Sequence, residues 1–205
     1  TLHLGNSALA ASLLAQLFVM LGCIGPWASV FGISASGMNG DGVFVLLLAL
    51  AAAGAQMVHV DASKKSVAQA RANAELSGMA ERPIRWIVED AAKFAAREVR
   101  RERRYDGILL DPPKYGRGPD GEVWRLEEDL PGLIANCRQL LDRDSRFLFL
   151  TVYAVRMSAL ALGALLEQHF ADLGGKVEFG ELAVREQTRG LLLPTAIFAR
   201  WVSEA

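Results

Sequence analysis

Strand-length apolar runs alternate with helical patterns along most of this 205-residue chain, and that alternation constrains its fold more than any other feature. It implies a parallel sheet whose strands are joined by crossover helices. Val30 to Ser34 reads as a first strand, followed by a turn-rich run from Ser36 to Gly42 and an apolar helix from Val43 to Ala53 that Gly54 stops. Met57 to Val60 is a short strand closing on Asp61, after which Ser63 can cap a helix from about Lys64 to Leu76 that ends at Gly78. Pro83 precedes a strand from Ile84 to Val88 closing on Glu89 and Asp90, and Ala91 to Arg101 is helical with a basic last turn that suits the helix dipole. Gly107 to Leu110 is a fully apolar strand ending at Asp111, of the kind found at the centre of a parallel sheet.

A Gly/Pro-rich loop then runs through Gly121, followed by a helix from about Leu126 to Leu141, a strand from Phe147 to Val152 and a helix from Ser158 to Phe170. The tail differs in kind. Lys176 to Val184 and Thr195 to Val202 read as two strands joined by a polar turn around Arg189 and Gly190, and so as an antiparallel pair. The expected architecture is α/β, a mostly parallel doubly wound sheet of five strands with a C-terminal antiparallel hairpin, in a single domain over residues 1–205.

Composition sets the outer limits of function. Hydrophobic residues make up 52% of the chain and the formal net charge is −1, which fits one sizeable core and gives no global attraction to polyanions. Cys23 and Cys137 lie far apart, with no spacing for a disulfide framework or a metal, and read as small core residues of a protein from a reducing compartment; no metal is expected, and a cytoplasmic location is. No Asp, Glu, Lys or Arg occurs before Asp41. The apolar stretch from Leu13 to Ile24 reaches the roughly 20 residues of a spanning helix only by taking in Gly25, Pro26 and Ser29, so a buried helix is the expected reading and membrane insertion is not.

In an open parallel sheet, ligands bind beyond the carboxyl ends of the strands, near the point where strand order reverses. That rule selects the Gly-rich run with Gly37, Gly40 and Gly42, then Asp61 with Ala62 and Ser63, then Glu89, Asp90 and Ala91, then Asp111 to Tyr115, then Thr151 to Tyr153. The glycines would let backbone approach a cofactor closely, or simply make a turn. Asp61 can accept hydrogen bonds from both hydroxyls of a ribose or cap the following helix, a task open to Ser63 instead. Asp90 can accept from an exocyclic adenine amine or cap its own helix.

Asp111-Pro112-Pro113-Lys114-Tyr115 is the unusual segment. Two prolines directly after a buried strand remove two donors and fix the backbone, so that the Asp111 and Pro112 carbonyls point in defined directions and can orient an amine or a base edge. Lys114 can neutralise a phosphate, and the Tyr115 ring offers a surface on which a planar base could stack.

From about Ala51 to Trp201 the chain resembles the class I S-adenosylmethionine-dependent methyltransferases, and within them the group of bacterial 23S ribosomal RNA large-subunit methyltransferases. The resemblance is carried by Val58 to Lys65, Val88 to Ala91, Ile108 to Gly116 and the closing Phe198 to Trp201. It implies a Rossmann-like fold, S-adenosyl-L-methionine as cofactor and ribosomal RNA as partner. It also implies that Asp61 binds the cofactor ribose, that Asp90 contacts adenine, and that Asp111 to Tyr115 lies between cofactor and target base. Upstream of Ala51 the likeness stops, so residues 1–50 are atypical. Relatives that methylate carbon 5 of cytosine carry a cysteine just after the fifth strand, where this chain has Thr151-Val152-Tyr153-Ala154. Covalent catalysis is therefore not expected, and a nitrogen target is favoured, since transfer to nitrogen needs mainly alignment. The competing readings are a methyltransferase-like binding module with a degenerate cofactor pocket, a methyltransferase acting on a protein or small molecule, and a nucleotide-dependent dehydrogenase sharing Asp61 and the glycine turn. Two basic patches bear on the partner: Arg97, Arg100, Arg101, Arg103 and Arg104, equally readable as a solvated helix end, and Lys114, Arg117 and Arg125 nearer the expected site.

Overall fold

A computed structural model of the chain describes residues 29–34, 41–153 and 155–204. The expected alternation is present. Strand β1 (Ser29–Ser34) leads to α1 (Asp41–Ala52), β2 (Gln56–Asp61), α2 (Lys64–Leu76), β3 (Ile84–Val88), α3 (Ala91–Arg100) and β4 (Gly107–Asp111). Then come β5 (Tyr115–Arg117), β6 (Val123–Arg125), α4 (Leu126–Gln139), β7 (Phe147–Val152), α5 (Ala159–Phe170), β8 (Lys176–Arg185) and β9 (Leu192–Val202).

The main sheet has the order β3-β2-β1-β4-β7-β9-β8. Strands β1, β2, β3, β4 and β7 pair in parallel, while β9 runs antiparallel to both β7 and β8. The sheet is thus mixed, with the expected five parallel strands and the expected closing hairpin. Strand order reverses between β1 and β4, where Ser34 lies beside Asp111 in register.

Strands β2, β4 and β7 are apolar on both sides because each side is covered. Met57, Leu109, Phe147 and Phe149 pack under α1 through Leu47, Leu50 and Ala51. Their neighbours Val58, Ile108, Leu110, Leu148 and Leu150 point the other way into a core built with Phe94 of α3, Leu133 and Ile134 of α4, and Leu162 and Leu166 of α5. This period of two, apolar on both faces, is the signature of a doubly covered sheet. Gly107 opens β4 because a Cβ there would stand 2.4 Å from the Phe147 ring on the neighbouring strand.

Two expectations change. Helix α1 begins at Asp41 rather than Val43, so Gly42 sits in its first turn and not in the preceding loop. Gly37 and Gly40 lie outside the described residues, as do Cys23 and the stretch from Leu13 to Ile24. The Gly/Pro-rich segment after β4 is not an open loop: β5 and β6 form a separate antiparallel ribbon, with Gly116 opposite Trp124. Among the described residues no helix is long and apolar enough to cross a membrane.

Candidate active site

The carboxyl ends of β2, β3 and β4 converge on one cleft of about 260 Å³. Its walls include Asp61, Ala62 and Ser63 from the end of β2, Asp90 and Ala91 from the start of α3, and Pro112, Pro113 and Tyr115 from the segment after β4. Residues chosen from three separate stretches of sequence are therefore neighbours in space. Asp111 and Lys114 are not among the lining residues: Asp111 lies buried at the strand end and Lys114 is exposed.

Asp61 is nearly buried, and its Oδ1 accepts from the Ser63 backbone N–H at 2.7 Å. Ser63 is the N-cap of α2, its Oγ accepting from the Ser66 N–H at 3.3 Å. The serine thus caps the helix, and the aspartate is held in one orientation by the turn between strand and helix. Asp90 behaves differently. It caps α3, with Oδ1 accepting from the Lys93 N–H at 2.9 Å, while also standing on the cleft wall.

Asp111 is the chemically distinctive group. It is 6% exposed, and the Thr151 hydroxyl at the end of β7 donates to its Oδ1 at 2.8 Å. Burial pushes its carboxyl up to about 6, against an opposing pull from the Thr151 hydrogen bond, which favours the carboxylate. Tyr153, two residues on, has its phenol raised by burial and by the Asp111 charge. A carboxyl held near neutrality at the switch point of the sheet is the kind of group found at functional sites.

Trp124 escaped the sequence reading. It is buried, lines the cleft and donates from Nε1 to the Pro113 carbonyl at 2.7 Å. A buried tryptophan N–H needs an acceptor, but its pairing across a ribbon could not be read from a Gly/Pro-rich stretch. The ribbon tip is tied to α3 as well: Lys93 forms ion pairs with Glu122 and, at 3.4 Å, with Asp120.

Cys137 is fully buried in α4, and burial raises its thiol, so it is a core residue as expected. The first basic patch is partly neutralised by Arg97 pairing with Glu89, Arg101 with Glu98 and Arg104 with Asp142. In the second, Lys114, Arg117 and Arg125 are all exposed, although Arg125 pairs with Glu128 at 3.4 Å.

The residues present suit an adenosine-bearing cofactor. A carboxylate with fixed orientation stands at the end of β2, where ribose hydroxyls can donate to it. Ala62, Ala91, Pro112 and Leu133 supply apolar wall for a purine.

No protein-family model and no curated protein matches the chain. Among solved structures it is similar to an S-adenosylmethionine-dependent methyltransferase from Agrobacterium tumefaciens, with 39% identity and a TM-score of 0.83 over 93% of this chain and 60% of that one. It is also similar to magnesium protoporphyrin IX methyltransferase from Synechocystis with bound SAH (19% identity, TM-score 0.56, 95% of this chain and 81% of that one). TrmN from Thermus thermophilus is a further neighbour (22% identity, TM-score 0.51, 93% and 48%). The chain spans about three fifths of the Agrobacterium protein. At their identities the other two likenesses concern the fold alone. Together with the sheet order, these likenesses give the chain the fold of the S-adenosylmethionine-dependent methyltransferases.

Proposed function

We propose that this chain is the catalytic domain of an S-adenosylmethionine-dependent methyltransferase that acts on a base of ribosomal RNA, at a nitrogen rather than at carbon 5 of cytosine, as the resemblance to the 23S ribosomal RNA group implies. The observation that carries the reading is the meeting of Asp61, Asp90, Pro112, Pro113 and Tyr115 around one cleft. When bound, the cofactor supplies a methyl group on a positively charged sulfur.

The chain's own residues account for binding and alignment. Asp61 accepts from the ribose hydroxyls, held by the Ser63 N–H. Asp90 and Ala91 border the adenine. The Asp111 and Pro112 carbonyls, fixed in direction by the two prolines, orient the target amine and its nitrogen lone pair; the buried Asp111 carboxyl is itself held at the strand end by the Thr151 hydroxyl. Alignment of this kind needs no covalent step. In support of a nitrogen target, Thr151 occupies the end of β7 and is engaged with Asp111, and Cys137 lies fully buried within α4. In support of RNA, Tyr115 is half exposed and stands in a setting of Lys114, Arg117 and Arg125, a ring among cations that suits an unpaired nucleotide.

Two measurements test the reading in turn. Calorimetric titration with S-adenosylmethionine should give saturable binding; no heat at millimolar cofactor would leave only a methyltransferase-like binding module. Mass spectrometry of ribosomal RNA nucleosides from cells with and without the gene should reveal one methylated base that is lost with it. An unchanged nucleoside profile would exclude ribosomal RNA as the acceptor.

A further inference from the structure

The segment Asp111-Pro112-Pro113 has an unusual shortage of freedom. Asp111 and Pro112 each precede a proline and are confined to extended conformations. The φ angles of Pro112 and Pro113 are set by their rings. One soft dihedral within the segment is left, ψ of Pro113, and it sets the direction in which the chain enters Lys114 and the ribbon beyond. The group at the far end of that dihedral is the Pro113 carbonyl, which accepts from Trp124 Nε1 at 2.7 Å.

Other contacts secure the same point. The Leu126 N–H donates to the Lys114 carbonyl at 3.0 Å. Gly116 lies opposite Trp124 in the ribbon, and a Cβ on it would stand 3.4 Å from Pro113 Cγ, so the proline ring rests closely on the strand that follows it. Trp124 itself is anchored, for its ring packs in the same core as Leu126, Leu130 and Leu133. The indole thus joins the hydrophobic core to a single backbone torsion.

We propose that Trp124 is a positioning residue for methyl transfer: through its hydrogen bond to the Pro113 carbonyl it sets the last free torsion of the proline turn and holds Tyr115 on the acceptor side of the cleft. This rests on the methyltransferase reading above. Trp124 also borders the cleft, but its role is exerted on the acceptor segment, so its loss should be felt in turnover more than in cofactor binding. Displacements of about 1 Å at a reacting pair can cost on the order of a hundredfold in rate.

Two variants of the intact chain separate the hydrogen bond from the ring. Trp124→Phe keeps an aromatic ring and removes the donor. Trp124→His loses bulk but places an imidazole Nε2 where the indole Nε1 stands. S-adenosylmethionine affinity is measured by calorimetry, and kcat and KM by transfer of tritiated methyl to ribosomal RNA from cells lacking the gene. The expected result is a fall in kcat of roughly ten- to hundredfold for the Phe variant, with cofactor affinity changed by no more than about threefold and partial recovery of kcat in the His variant. Parental kcat in the Phe variant, or equal loss in both variants, overturns the proposal. Amide hydrogen exchange tests the latch without recourse to turnover: the Leu126 amide and the ribbon amides should exchange about tenfold faster in the Phe variant, and unchanged exchange overturns the proposal. A parent that binds no S-adenosylmethionine instead fails the methyltransferase reading, an outcome that the calorimetry identifies by itself.

Discussion

Thr151 Oγ1 donates to Asp111 Oδ1 at 2.8 Å, tying the end of β7 to the end of β4 where a buried carboxyl would otherwise be held by the strand alone. The bond favours the charged form, while burial, the larger influence, favours the neutral one. Thr151→Val removes the donor and keeps the shape, so the Asp111 carboxyl should titrate above its present value of about 6. If the carboxylate is the active form, the acidic limb of the pH–rate profile should move to higher pH with little change on its plateau. A limb that stays in place would show that Asp111 does not control turnover.

The same carboxyl shapes stability. Its ordinary value is 3.8 and its folded value about 6, so the folded state retains a proton that the unfolded chain has lost across that window. Stability from this group is therefore fully present below about pH 4 and lost as pH rises through 6, a change on the order of 3 kcal/mol. Asp111→Asn cannot ionise and can still accept from Thr151. Its unfolding free energy, compared with the parent by denaturant titration, should gain about 2–3 kcal/mol in relative terms between pH 4 and pH 8. The two proteins keeping a constant difference across that range would contradict it.

At the cofactor side, Asp61→Asn retains an oxygen for the Ser63 N–H and loses the charge that ribose hydroxyls would bind. Hydrogen bonds to charged groups contribute about 1.5–3 kcal/mol, so S-adenosylmethionine affinity should fall by roughly ten- to a hundredfold. Calorimetry on the two proteins decides the matter, and equal affinities would place the ribose elsewhere.

The RNA reading has its own test in salt. Lys114 is exposed beside the cleft, and Lys114→Ala should weaken ribosomal RNA binding while lowering the slope of log affinity against log salt by about one. An unchanged slope, measured by filter binding across a salt series, would point to a small molecule or a protein as the acceptor.

Much of the fold could be read along the chain because local rules governed it. Gly54 and Gly78 both adopt positive φ just after helices, at the stops expected of them. Ser63 caps α2, and α5 begins one residue after Ser158. Strands β2, β3 and β4 end at or next to the acids that sequence placed at the binding edge. The misses have physical causes too. The ribbon of β5 and β6 has three residues per strand, too short for an alternating pattern to register, and prolines and glycines around it suggest an open loop. Asp90 carried two roles in sequence, and only its distance to the Lys93 N–H showed that it caps α3.

By itself the sequence determined the order of elements in the main sheet, the apolar character of β4 on both sides and the set of residues at the carboxyl ends of the strands, because period, capping and turn chemistry act over a few neighbouring residues. Only the tertiary structure decided which of those ends share a cleft, that Thr151 stabilises the charge on Asp111 across adjacent strands, and that Trp124 reaches back eleven residues to Pro113. Those relationships depend on strand order and side-chain reach across the sheet, which the spacing of residues along a chain does not encode.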